Sequence, residues 1–226
     1  MQRYFLNKEN QIENDDLHHI LNVMRFKDQT EVEVCFGGKC YLAKLNINGK
    51  SVSYETISEI DSNEPKQVHL IQGLPKGDKI ETVSKFATIF GAEEIIFVPM
   101  VRSIAKLANT DHKLDRLKKI SKEAAELSKH SSLPEINFFE SLKALNLEGK
   151  TIVVLDENEK TVHIDEVLPK LKNTAIYVIV GPEGGIDDKE RSLFSKLNAH
   201  FVTLGKTIYP TELAHIPFLT KLWTQI

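Results

Sequence analysis

The chain has 226 residues, 41% of them hydrophobic, and a formal net charge of −3. That length suits one large or two small domains with a packed core; no apolar run approaches the roughly 20 residues of a membrane span, and residues 1–5 do not open a signal peptide. The charge excludes bulk attraction to nucleic acid: residues 1–66 carry 8 Lys and Arg against 11 Asp and Glu, and the remainder 21 of each, so any RNA contact must be a local patch.

In chain order, residues 3–6 read as a short strand, and residues 15–25 as a short helix with Leu17, Ile20, Leu21 and Met24 at helical spacing. Residues 30–34 alternate as a half-buried strand does. Phe36-Gly37-Gly38-Lys39 is a hairpin turn, residues 40–47 return, Asn48-Gly49 is a second hairpin signal, and residues 51–60 close the set. Short strands joined by tight turns predict a small β-barrel. Cys35 and Cys40 lack the paired spacing of a zinc site and are too few for a disulfide framework, so they are expected to pack, reduced, in that barrel. Residues 61–66 are polar and unpatterned and read as a linker, which gives domains at 1–66 and 67–226.

Beyond the linker the pattern changes. Residues 68–74 form an apolar strand, and Pro75-Lys76-Gly77 turns the chain into a helix. Asp78 is its expected cap, Glu81 the box partner, and Ile80, Val83, Phe86, Ala87 and Phe90 its buried stripe, ended by Gly91. Residues 94–99 form a strand. Residues 111–131 form a long helix with Leu114, Leu117, Ile120, Ala124 and Leu127 inward. Strands follow at 151–156, 176–181 and 201–204, alternating with helices as in an α/β domain with a largely parallel sheet. The last helix carries Pro217, which should kink it or shift its start.

Four features bear on chemistry. The run Val178-Ile179-Val180-Gly181-Pro182-Glu183-Gly184-Gly185-Ile186 leads a strand into a glycine turn, and Asp187 with Glu190 can form a capping box on the next helix. The run Leu204-Gly205-Lys206-Thr207-Ile208-Tyr209-Pro210-Thr211-Glu212 repeats the arrangement. Two such loops side by side make a backbone-lined slot for a small cofactor, whereas two ordinary crossover turns explain the spacing equally well. Third, the helix at 113–129 carries Lys113, Arg116, Lys118, Lys119, Lys122 and Lys129, readable as a solvated face or as a phosphate-contacting edge. Fourth, His18-His19 has no carboxylate or cysteine at metal spacing, so no metal is expected.

These pieces together resemble the bacterial ribosomal RNA small subunit methyltransferase E family, of the SPOUT superfamily. The resemblance covers nearly the whole chain. It is carried by residues 19–25, Phe36-Gly37, residues 76–79 and 85–92, Arg102-Ser103, Lys106-Leu107, residues 124–126 with Ser128, Val180-Gly-Pro-Glu-Gly-Gly185, and Leu204-Gly205 with Ile208, Thr211, Glu212 and Ala214. It implies an amino-terminal PUA-like barrel, a carboxyl-terminal α/β domain with a deep trefoil knot, and a cytoplasmic homodimer. It further implies S-adenosylmethionine as cofactor and methylation of uridine N3 in 16S ribosomal RNA, free or in the small ribosomal subunit. The cofactor would lie against Leu155, Val180, Gly181, Pro182, Glu183, Gly184, Gly185, Leu204, Gly205, Ile208 and Thr211. Glu183, Glu126 and Glu212 are candidates to take the N3 proton, and Arg102 to stabilise the uridinate. RNA contacts would come from Arg3, His19, Arg25, Arg116, Lys118, Lys119, Lys122 and Lys129. Apolar residues of the last helix, Leu213, Ile216, Leu219, Leu222 and Trp223, would form the dimer face.

The chain departs from the family where it reads Thr207-Ile-Tyr-Pro210-Thr-Glu-Leu213, with two arginines and a threonine replaced, and where Val101, Leu127 and Lys129-His130 stand for the usual Glu, Gln and Gly-Arg. A superfamily member methylating a ribose oxygen and an RNA-binding module with little catalysis are the alternative readings.

Overall fold

The computed structural model describes residues 1–63, 66–171 and 175–224, the side chains of 66, 223 and 224 excepted. The expected linker at 61–66 therefore lies partly outside the described residues, and so does the Trp223 side chain. Two compact units result: Met1–Pro65 with Lys122–Leu133, and Lys66–Ser121 with Pro134–Ile226.

In the first unit β1 (Arg3–Phe5), β2 (Glu31–Phe36), β3 (Lys39–Asn48) and β4 (Ser51–Ile60) form one sheet in that order. β1 runs parallel to β2 and the other pairs are antiparallel. The sheet is open among the described residues, so the expected closed barrel is not what these strands form. No described strand pairs β4 back to β1. Val32 and Val34 of β2 turn inward to meet Tyr4, Ile20, Ala43 and Leu45, as a period of two requires. Ile20 comes from a helical segment in which α1 (Asn14–His18) widens into a π-helical turn, His19–Val23.

Gly37 and Gly38 both have positive φ, +59° and +76°, which is what a two-residue hairpin turn compatible with strand twist needs. That turn sets the register in which Cys35 opposes Cys40. With their Cα atoms 4.1 Å apart, the two are joined as a disulfide. This corrects the expectation of reduced packing residues: two-residue turn geometry, not cysteine count, brings the sulfurs together.

The second unit is built on six parallel strands: β5 (Lys66–Gly73), β6 (Ala92–Val98), β7 (Glu135–Phe138), β8 (Thr151–Leu155), β9 (Ile176–Val180) and β10 (His200–Val202). Their order is β10-β8-β9-β5-β6-β7. Alternate residues feed two apolar clusters. Val68, Leu70, Ile95, Phe97, Val153 and Val178 enter one; Ile71, Ile96, Val98, Ile152, Val154 and Ile179 enter the other. A sheet covered on both faces explains why these strands read as apolar runs. The short edge strand β7 has no counterpart in the sequence reading.

The unit's first two helices are α2 (Lys79–Ile89) and α3 (Thr110–Ser128), and the division between units falls within α3. Gly91 ends α2 with φ +76°. Its amino-terminus corrects the expected capping box, because Asp78 makes no side-chain cap and Glu81 bonds Arg116 instead. On α3, Leu117 and Ala124 are buried as expected, whereas Leu127 is 75% exposed, so it does not belong to the inward stripe. α4 (Ile164–Val167) and α5 (Asp188–Lys196) follow, and Asp187 with Glu190 forms the expected box on α5. α6 (His215–Thr224) holds Pro217 in its first turn, so the proline marks the helix start. Among the described residues no helix is long and apolar enough to cross a membrane.

Candidate functional site

Three loops leave the carboxyl ends of the adjacent strands β10, β8 and β9 and enclose a cavity of about 790 Å³. Open α/β sheets place ligands at such a crevice. Leu155, Val180, Ile186, Leu204 and Ile208 supply apolar wall, and backbone around Gly181, Gly185 and Gly205 supplies the rest.

The loops are tied from beneath by a polar side chain that reading the sequence missed. Gln72 is fully buried in β5, next to the buried Leu70 and Ile71. Its Nε2 donates to Thr211 Oγ1 at 2.8 Å, Gly73 O at 3.0 Å and Gly181 O at 3.3 Å. The Thr211 hydroxyl in turn donates to Gly181 O. Thr211 thus lines the cavity while its hydroxyl joins the two glycine loops. The available signal was an amide directly after the apolar pair Leu70-Ile71. Gly73 matters for a different reason: a Cβ there would sit 2.6 Å from Pro182 Cδ.

Within the Gly181–Gly185 loop the glycines divide. A Cβ at Gly181 would stand 2.9 Å from the Gly185 carbonyl carbon, and Gly185 has φ +72°, so both let the chain fold back tightly. Gly184 does not line the cavity. A Cβ there would meet Arg102 Cβ at 2.9 Å. Arg102 donates to Gly184 O at 3.1 Å and pairs with Asp187 at 3.5 Å. Its own turn is fastened to α5, because Val101 N–H donates to Glu190 Oε1 at 2.8 Å. The other ten expected cofactor residues all line the cavity.

At the cavity wall Lys79 brings two of the expected carboxylates together. Its Nζ lies 3.1 Å from Glu183 Oε1 and 3.1 Å from Glu212 Oε2. Burial pushes the Glu183 carboxyl up, but the Lys76 N–H at 3.0 Å and the Lys79 ammonium outweigh it and hold the group below its ordinary value. Lys79 lay unremarked within the 76–79 motif.

Glu126 belongs to the other unit, where burial and then the Asp16 charge push its carboxyl up to about 7, against Lys122 and the Phe5 backbone. Several expected RNA contacts are there too, already engaged. Arg3 is 2% exposed and donates to Glu33 and to His130 O, both at 2.8 Å. Lys129 meets the same Glu33 at 2.8 Å, and Lys122 meets Glu13 at 2.9 Å and Asp16 at 2.8 Å. His19 Nδ1 is 2.9 Å from the Tyr4 hydroxyl. Arg25, Lys118 and Lys119 are exposed, and Arg116, in the second unit, pairs with Glu81 at 2.8 Å. Among the described residues no group of three or more His, Cys, Asp and Glu could hold a metal ion.

Comparison with known proteins places the chain. An RNA methyltransferase domain family matches residues 62–223, and an RNA methyltransferase PUA domain family matches residues 12–55. The ribosomal RNA small subunit methyltransferase E of Bacillus subtilis (strain 168) is 30% identical, with 98% of this chain and 96% of that protein covered. The protein of that name from Mesomycoplasma hyopneumoniae (strain 232) is 32% identical, with 98% of each covered. A crystal structure of a ribosomal RNA small subunit methyltransferase E from Neisseria gonorrhoeae, bound to S-adenosyl methionine, has the same fold, with TM-score 0.82 at 24% identity over 100% of this chain and 98% of that one. With matches of this length in both domains, the chain belongs to the ribosomal RNA small subunit methyltransferase E family.

Proposed function

We propose that this chain transfers the methyl group of S-adenosylmethionine to ring nitrogen N3 of a uridine in 16S ribosomal RNA, free or within the assembled small subunit, in the bacterial cytoplasm. The observation that carries this reading is the meeting of a backbone-lined cavity with Lys79 and Glu183 at its wall, Lys79 also pairing with Glu212. The cavity's size falls in the range of small-molecule sites, and its mix of apolar wall and bare peptide groups fits an adenosyl ligand. When bound, that cofactor supplies a methyl carbon already attached to an excellent leaving group.

The protein's share is then placement and proton removal. Gly181, Gly185 and Gly205, with Leu155, Val180 and Leu204, line the cavity and would hold the adenosyl part of the cofactor. Glu183 or Glu212 accepts the N3 proton, and Arg102 stabilises charge developing on the uracil oxygens. The ring nitrogen passes its proton to a carboxylate oxygen and uses the freed electron pair for the new N–C bond. The pair of the breaking S–C bond stays on sulfur.

The PUA family match in the first unit supports an RNA-gripping role there, with the second unit as the methyltransferase. The position of β9 between β8 and β5 supports a trefoil knot, because a late segment must re-enter the middle of the sheet. A two-fold homodimer is supported by exposed apolar side chains at Val101, Ile104 and Ile208, which are 62%, 66% and 77% exposed. The last helix contributes less than its sequence suggests, since Leu219 is 1% exposed within the unit's own core. Nucleoside mass spectrometry of 16S ribosomal RNA from a deletion strain tests the reading. Loss of 3-methyluridine, restored by the gene, is expected. Retained 3-methyluridine with a missing ribose-methylated nucleoside would overturn it.

A further inference from the structure

Two carboxylates converge on one ammonium, and the ammonium and one of the two, Glu183, line the cavity. Glu183 comes from the loop after β9 and Glu212 from the segment before α6, so the sequence sets them 29 positions apart, yet both lie 3.1 Å from Lys79 Nζ. Lys79 stands at the start of α2, on a third element. Glu183 also accepts from its own backbone N–H and from the Lys76 N–H at 3.0 Å, which comes from the turn leading into that helix.

Of the other charged groups here, Lys160 bonds the Glu157 carbonyl and Lys206 is exposed on the cavity lining; among the described residues neither pairs with Glu212 or Glu183. Arg102 faces the next residue's carbonyl and Asp187, and Lys76 meets Glu183 through its backbone. His215 at the start of α6 is fully buried, and burial holds its imidazole neutral, down at about 3. The charge balance of the two glutamates therefore rests on Lys79. Remove it, and the two carboxylates lose the cation between them, which favours protonation of one of them.

We propose that Lys79 is a positioning residue for methyl transfer: by bridging Glu183 and Glu212 it holds the Glu183 carboxylate at the cavity wall, so that Glu183 can take the proton leaving the uridine nitrogen. This rests on the N3 reading above. The directions of titration agree with the geometry. Burial pulls the Lys79 ammonium down, but its bonds to Glu212 and Glu183 win and hold it above its ordinary value. An ordinary exposed ion pair in this place would affect neither the pH dependence of the reaction nor the ionisation of its neighbours.

The test compares the full chain with its Lys79→Met and Lys79→Arg variants in two measurements. The first is titration of 13C-labelled glutamate carboxyls in cofactor-free protein. One glutamate midpoint should rise by about one pH unit or more in Lys79→Met and return towards the parent value in Lys79→Arg. The second is the pH profile of kcat/KM for methyl transfer to ribosomal RNA. Its acid limb should move up by the same amount, with cofactor affinity, measured by calorimetry, much less affected. If Lys79→Met does not fold, Lys79→Gln takes its place. Unmoved midpoints, or a profile lowered equally at every pH, would overturn the proposal. If the parent methylates something other than uridine N3, the N3 reading falls by itself, while the carboxyl titration still decides what Lys79 does to the two glutamates.

Discussion

Lys122 in the first unit and Lys79 in the second each bridge two carboxylates, and one acid beside each, Asp16 and Glu183, is shifted in opposite directions. Lys122 meets Glu13 and Asp16 at 2.9 and 2.8 Å with its side chain 16% exposed. Lys79 meets Glu183 and Glu212 at 3.1 Å each with its side chain 35% exposed. Burial pushes the Asp16 carboxyl up, and Lys122 only partly offsets it. Burial also pushes Glu183 up, but there a backbone N–H adds to the lysine and the balance falls below the ordinary value. A lysine alone does not decide ionisation; depth and a fixed peptide donor do. The deeper bridge lies in the first unit, and the shallower one lies beside the cavity.

The sharpest way to break this contrast is to remove each lysine in turn. Lys122→Met leaves Asp16 buried without its cation and should cost about 3 kcal/mol in urea denaturation. Lys79→Met should cost less, about 1–2 kcal/mol, because Glu183 reaches water and only the Glu212 Oε2 is left buried. Equal costs would erase the distinction.

A somewhat smaller effect is expected at Gly73, where any Cβ meets Pro182 at 2.6 Å. Gly73→Ala should push the glycine loop outward and weaken cofactor binding by about 1–3 kcal/mol, read by calorimetry, the scale of other overpacking changes. An unchanged affinity would mean that the loop's seat on β5 does not shape the cavity.

Glu126 tests the first unit's depth from the acid side. Its folded-state carboxyl titrates at about 7 against an ordinary 4.5. The native state therefore binds a proton more tightly than the unfolded chain does. This contribution is greatest below about pH 4.5 and is lost as pH rises to about 7. Glu126→Gln should remove that pH dependence and stabilise the protein at pH 8 by on the order of 1 kcal/mol, after allowance for its partial exposure. A stability–pH curve parallel to the parent's would show that the carboxyl is better solvated than its burial implies.

The smallest effect concerns RNA. Lys122 now reads as a clamp, so its removal confounds binding with folding, whereas Lys118 is exposed and a cleaner probe. Lys118→Ala should reduce the slope of log affinity against log salt by about one and leave cofactor binding unchanged. An unaltered slope would make this part of the α3 surface a solvated face.

What the sequence determined by itself is what local chemistry controls. The Asp187–Glu190 capping box, the positive-φ glycines of the β2–β3 turn and the two strand-to-glycine-loop corners depend on residues a few positions apart, and the structure has them. The family, too, was legible, because its motifs are contiguous and ordered. What only the tertiary structure decided are pairings across long separations. Lys79 meets carboxylates more than a hundred positions away, Gln72 ties loops that follow strands it precedes by a similar distance, and Glu81 abandons its local cap for Arg116. Basic residues that look alike along one stretch of sequence divide into buried clamps and exposed charges, as Lys122 and Lys118 do. Composition cannot separate them, since a side chain's charge is set by its identity, and its availability by which acids the fold brings within reach.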